Sequence, residues 1–150
     1  MSDLQELYRD MVMDHNRRPR NFRKMDQPTC SLEGYNPLCG DRVIVYVQLE
    51  GDRIADIAFQ GSGCAISRAS ASMMTESVKG KRTTEAEGLF QAVRDMLTRP
   101  PGADFDEDKL GDLVILAGVS AFPTRIKCAT LSWHALHTAL QGQAATISTE

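Results

Sequence analysis

The stretch Asn36-Pro37-Leu38-Cys39-Gly40-Asp41 sets a thiol and a carboxylate two residues apart, with a glycine between them. Further thiols stand at Cys30, Cys64 and Cys128, and Cys64 follows the run Gly61-Ser62-Gly63. Two chemistries use such residues. A thiolate binds a borderline-soft metal ion, with a carboxylate as a harder companion, and a thiolate attacks sulfur in disulfides and persulfides. Cys39 and Asp41 could point into one space, and with Cys64 and Cys128 they would make a Cys3Asp set compatible with tetrahedral zinc. Spacing alone leaves this open, because Cys64 and Cys128 also suit small buried hydrophobes.

Each of these residues falls at the end of an element. Arg42 to Glu50 alternates, with Val43, Val45, Val47 and Leu49 on one face, and an apolar run resumes from Ile54 to Phe59 after Gly51-Asp52. This predicts a β-hairpin that Cys39 and Asp41 enter. Ile66, Ala69, Met73 and Ser77 share one face of a helix that starts beside Cys64 and stops at Gly80. Pro123 opens a last helix with Ile126, Ala129, Trp133, Leu136 and Leu140 on its buried side and Cys128 in its first two turns. Helix amino termini favour a thiolate over a thiol. Three more helices are predicted: one from Leu4 to Asp14, one capped by Thr84 and Glu87 and ending before Pro100-Pro101, and a short one from Leu110 to Leu116.

Composition limits the partners. With 150 residues, 42% apolar and 25% charged, the chain has the make-up of one globular domain. A net charge of -3 gives no general pull toward nucleic acid or membrane. No run of eighteen apolar residues occurs, and Met1-Ser2-Asp3-Leu4 does not begin a secretory signal, so a cytoplasmic protein is expected. In that reducing setting the four cysteines are not read as a disulfide set. Four positive charges cluster from Arg17 to Arg23, either a solvated turn or a docking patch for an acidic protein surface.

Three segments in order, N-P-L-C-G-D, F-Q-G-S-G-C-A-I-S-R-A-S-A-S-M-M and R-I-K-C-A-T-L-S-W, resemble the U-type iron-sulfur assembly proteins, and among them the SufU branch. The resemblance spans roughly residues 4 to 141 and includes L-Y-R-D-M-V-M-D-H-N-R-R-P-R-N-F. It implies an α+β fold, a small antiparallel three-stranded sheet with helices packed on one face, in a single domain over residues 1–142; the residues beyond Gly142, 143–150, are read from their own composition as a disordered tail. It also implies a zinc-dependent sulfurtransferase that takes persulfide sulfur from a SufS-type cysteine desulfurase and serves downstream iron-sulfur scaffold proteins. By position, Cys39, Asp41, Cys64 and Cys128 would hold the zinc, and Cys39 would carry the sulfur. Two features separate this branch from the IscU-like scaffolds: Lys127 stands where those chains carry a histidine before the third cysteine, and there is additional length around Phe90 to Leu113. The alternatives are a scaffold assembling an iron-sulfur cluster on the same residues, and a zinc-stabilised adaptor that only activates the desulfurase. Cys30 matches no ligand position and is read as a loop thiol. His134 and His137 are read as surface or packing residues, His15 as a helix-end cap, and Arg125 as either a neighbour of the anionic site or a plain surface residue.

Overall fold

A computed structural model describes residues 3–37, 40–100, 103–141 and 147–148. In chain order these form α1 (Asp3–Arg17), β1 (Cys30–Asn36), β2 (Asp41–Glu50), β3 (Arg53–Ser62), α2 (Ala65–Val78), α3 (Thr83–Thr98), α4 (Glu107–Leu110), a 3-10 segment (Gly111–Ala121), α5 (Pro123–Leu140) and β4 (Ile147–Ser148). Strands β1, β2 and β3 make an antiparallel meander, and the two residues of β4 add to β1 in parallel, giving the order β3-β2-β1-β4.

The alternation that predicts the hairpin also fixes what the sheet buries. Val43, Val45 and Val47 of β2 face the same way as Leu32 and Gly34 of β1 and Ile57 and Phe59 of β3, and α2 and α5 pack on that face. At Gly34 α5 lies close to the sheet: a Cβ added there would lie 3.0 Å from Leu131 Cδ1. Each fully buried Leu, Ile or Phe contributes about 1.5–3 kcal/mol relative to an exposed one. The opposite face carries polar links instead, Arg42 to Glu33 at 2.8 Å and Tyr46 Oη to Gln60 Oε1 at 2.8 Å.

At one end of this buried face the pattern changes from apolar to polar. Asn36 of β1 and Asp41 of β2 are partners in the ladder, and both are completely buried on the helix-facing side. The chain thus places an amide and a carboxylate where the periodicity would otherwise put two aliphatic groups. Buried polar groups of this kind need partners, and those partners lie on the two helices described next.

Several local expectations are corrected. Strand β1 has little apolar alternation, since of its inward residues only Leu32 is a large aliphatic, so the hairpin alone is legible by pattern. Helix α3 starts two residues earlier than expected, and its first turn is closed by Arg82 N–H donating to Glu85 Oε1 at 3.1 Å, not by Thr84 and Glu87. The short helix expected over 110–116 is instead α4 followed by the 3-10 segment. His15 does not cap α1. It is buried, its Nδ1 is 2.7 Å from Ser72 Oγ, and it ties α1 to α2. Cys30 begins β1 rather than sitting on a loop, and burial pushes its thiol pKa up. Among the described residues no helix is long and apolar enough to cross a membrane.

Candidate metal centre

Three of the four sequence-designated residues meet. One ligand atom each from Asp41, Cys64 and Cys128 lies within 4.8 Å of the others. Cys39 lies outside the described residues, in the connection between Asn36 and Asp41. The three come from the start of β2, the turn from β3 into α2, and the second turn of α5, so the site exists only when sheet and both helices are assembled.

Each is fixed by a local cause. Cys64 is the N-cap of α2, with extended φ/ψ of -72° and 166°, and the Ser67 backbone N–H points at its Sγ from 3.4 Å. That N–H is one of the donors at a helix start that have no partner within the helix, and the Cys64 sulfur supplies one. Cys64 also donates its own N–H to Asp41 Oδ1 at 2.8 Å, while Asp41 Oδ2 stands 3.9 Å from Cys64 Sγ. One carboxylate oxygen therefore holds the turn and the other faces the cluster. Cys128 is buried; its Sγ lies 3.7 Å from the Thr124 carbonyl oxygen, and Asn36 Nδ2 donates to it at 3.6 Å.

Gly63 allows Asp41 to sit this close. A Cβ at Gly63 would come 2.4 Å from Asp41 Oδ1 and 3.1 Å from Asp41 Cα, and its φ of 159° is unfavourable for other residues. Gly63→Ala is expected to push the carboxylate away, cost about 1–3 kcal/mol of stability through overpacking and weaken zinc retention in chelator competition. A variant with wild-type melting and wild-type zinc retention would show that this contact is not needed.

Two residues beside the site carry no signal in the sequence pattern. Asn36 is one. Tyr8 of α1 is the other: its hydroxyl pKa is raised, chiefly by burial and further by the negative field of Cys64, while Arg125 pulls it down. Tyr8 thus feels both Cys64 and Arg125. Arg125 lies with its guanidinium 4.7 Å from the Phe122 ring centroid, at the exposed start of α5. The histidines of α5 are elsewhere. His137 Nδ1 is 2.7 Å from Glu87 Oε1 and its ring stacks on Phe90 at 4.6 Å, and His134 meets the edge of the same ring arrangement at 5.2 Å. Burial lowers the His134 pKa, which keeps its ring neutral against the phenyl group.

Two sulfurs and a buried carboxylate oxygen, brought together from three elements, are a donor set suited to a borderline ion such as zinc. Fold and site together define a class, an α+β protein with two cysteine sulfurs and a carboxylate gathered at the end of its sheet. Residues 7–129 match the NifU-like N-terminal domain, and the chain belongs to that family. It is 45% identical over 136 residues to the zinc-dependent sulfurtransferase SufU of Bacillus subtilis, covering 90% of each chain. It is also 41% identical over 144 residues to the iron-sulfur cluster assembly scaffold protein IscU of Streptococcus pyogenes, covering 96% of this chain and 89% of that one. Among solved structures it superposes with a TM-score of 0.82 on a protein from Fervidobacterium islandicum described as a candidate iron-sulfur cluster assembly scaffold for the SUF system, at 36% identity over 87% of this chain and 94% of that one. A NifU-like amino-terminal domain from Brucella abortus, 21% identical with a TM-score of 0.82 over 93% of this chain and 96% of that one, shares the fold.

Proposed function

We propose that this chain is a zinc-dependent sulfurtransferase of iron-sulfur cluster assembly, in which Asp41, Cys64 and Cys128 hold the ion and Cys39 is both a ligand and the sulfur acceptor. The observation that carries the reading is the convergence of Asp41, Cys64 and Cys128 beside the connection that bears Cys39. Zinc, when bound, keeps thiolates deprotonated at neutral pH without redox chemistry of its own.

The chain's own groups divide the work. Cys64 caps α2 and Cys128 sits in the second turn of α5, so both are anchored to helices. Cys39 lies in a connection next to Gly40, whose φ of 70° sets the bend into β2. In the transfer step the Cys39 thiolate attacks the terminal sulfur of a cysteine desulfurase persulfide. A new sulfur-sulfur bond forms at Cys39, the bond to the enzyme's cysteine breaks, and that cysteine departs as a thiolate. The product is a Cys39 persulfide for a downstream scaffold.

For docking, the basic turn is smaller than its sequence suggests. Arg20 pairs with Asp14 at 2.6 Å and Arg23 with Asp56 at 2.6 Å, which leaves Arg17 and Arg18 as exposed cations for an acidic partner surface. Phe122, half exposed at the start of α5, adds apolar area near the site.

A scaffold reading uses the same residues, and one of the two relatives named above carries that name. The position before Cys128 favours the relay: Lys127 offers an ammonium where a cluster scaffold would place an imidazole. Metal analysis with an absorption spectrum on freshly purified protein tests this. About one zinc per chain without a visible charge-transfer band is expected, whereas iron with visible absorption would establish the scaffold.

A further inference from the structure

We infer that Asn36 is a positioning residue of the centre, whose side-chain amide keeps Cys128 a resident ligand of low reactivity so that incoming sulfur goes to Cys39 and not to Cys128. The inference rests on the zinc relay proposed above and assigns a role to a residue outside the ligand set.

Asn36 is completely buried at the helix-facing end of β1, directly across the ladder from Asp41. A primary amide in that position is costly unless its donors are used. One of them points at Cys128 Sγ from 3.6 Å, across 92 residues of sequence. In its thiol form Cys128 can direct its proton to the Thr124 carbonyl 3.7 Å away. A metal-bound sulfur has no proton to give that oxygen, while the Asn36 N–H can donate to the sulfur and gains strength from its charge.

A hydrogen bond to an anionic sulfur stabilises the charged form and draws on the electron pair that would attack, so nucleophilicity falls. The Ser67 N–H makes the same kind of contact to Cys64 from 3.4 Å. Both helix cysteines are thus tied by an N–H···S contact, one from backbone and one from a side chain. The side-chain contact can be removed by substitution without breaking a helix cap. Outer partners of this kind typically change metal affinity about 10–100-fold.

The test uses the zinc-loaded full chain with Asn36→Ala, which removes the donor, and Asn36→Leu, which fills the space without one. Zinc dissociation is measured by chelator competition, and iodoacetamide alkylation at Cys64 and Cys128 is followed by mass spectrometry. The zinc dissociation constant should rise about 10–100-fold. Alkylation of Cys128 should accelerate by about the lower end of that range, while Cys64, whose Ser67 contact is untouched, keeps its wild-type rate. In the cobalt-substituted proteins the sulfur-to-cobalt band should move to longer wavelength. Equal acceleration at both cysteines would mean general loosening and would overturn the assignment, as would unchanged affinity and alkylation in both variants. A wild-type chain that takes up neither zinc nor cobalt would remove the metal centre itself, and the role of Asn36 with it.

Discussion

Replacing Cys64 or Cys128 by alanine is expected to strip the chain of zinc and lower its melting temperature by about 10 °C. The expectation follows from linkage. The ligand atoms come from β2, the α2 cap and α5, so the unfolded chain has no comparable site, and binding energy becomes folding energy. An ion present at about 1,000 times its dissociation constant adds about 4 kcal/mol, and a chain of this size gains about 2–4 °C per kcal/mol. Asp41→Ala should behave differently. Besides losing zinc, it leaves the Cys64 N–H without its 2.8 Å acceptor, so it should remain less stable than wild type even with chelator present. The Cys128 variant should melt close to the metal-free wild type, and the Cys64 variant a little below it, because the Ser67 N–H loses the sulfur that caps α2. Thermal melts of all four proteins with zinc and with chelator check this, and three variants with full zinc and unchanged melting would rule out the site.

Cys39→Ser should abolish persulfide uptake while retaining part of the zinc. A serine hydroxyl is not appreciably ionised at neutral pH and forms no persulfide, so transfer stops whatever the metal content. The remaining ligands, Asp41, Cys64 and Cys128, stay in place because none depends on the substituted side chain for its element. A zinc-stabilised adaptor would lose nothing by this change. Full stimulation of desulfurase turnover by the Cys39→Ser protein would therefore support the adaptor and exclude the relay.

The sequence made the site more legible than the fold around it. Valine alternation in β2 identified the hairpin, and the Gly-Ser-Gly-Cys turn placed Cys64 at a helix start, because both signals are local. The convergence of Cys64 and Cys128 is not local. It depends on α2 and α5 packing side by side on the sheet, which the order of motifs implied and spacing could not show. Asn36 stayed hidden since a buried amide at the end of a polar-looking strand has no periodicity to betray it. His15 was misplaced for a related reason: its position at the end of α1 suggests a cap, whereas its ring is buried against Ser72 of a helix distant in sequence. The sequence leaves the basic turn open between a solvated turn and a docking patch because its counter-charges, Asp14 and Asp56, lie in α1 and β3.

The most direct test of the relay is the location of transferred sulfur. The protein would be incubated with its cysteine desulfurase and cysteine, alkylated, digested and mapped by mass spectrometry. An added sulfur on Cys39 is predicted. Cys30 provides the internal comparison, because it is half-buried at the start of β1 and burial disfavours its thiolate. Sulfur found on Cys30, or a stimulated desulfurase with no sulfur on Cys39, would contradict the account.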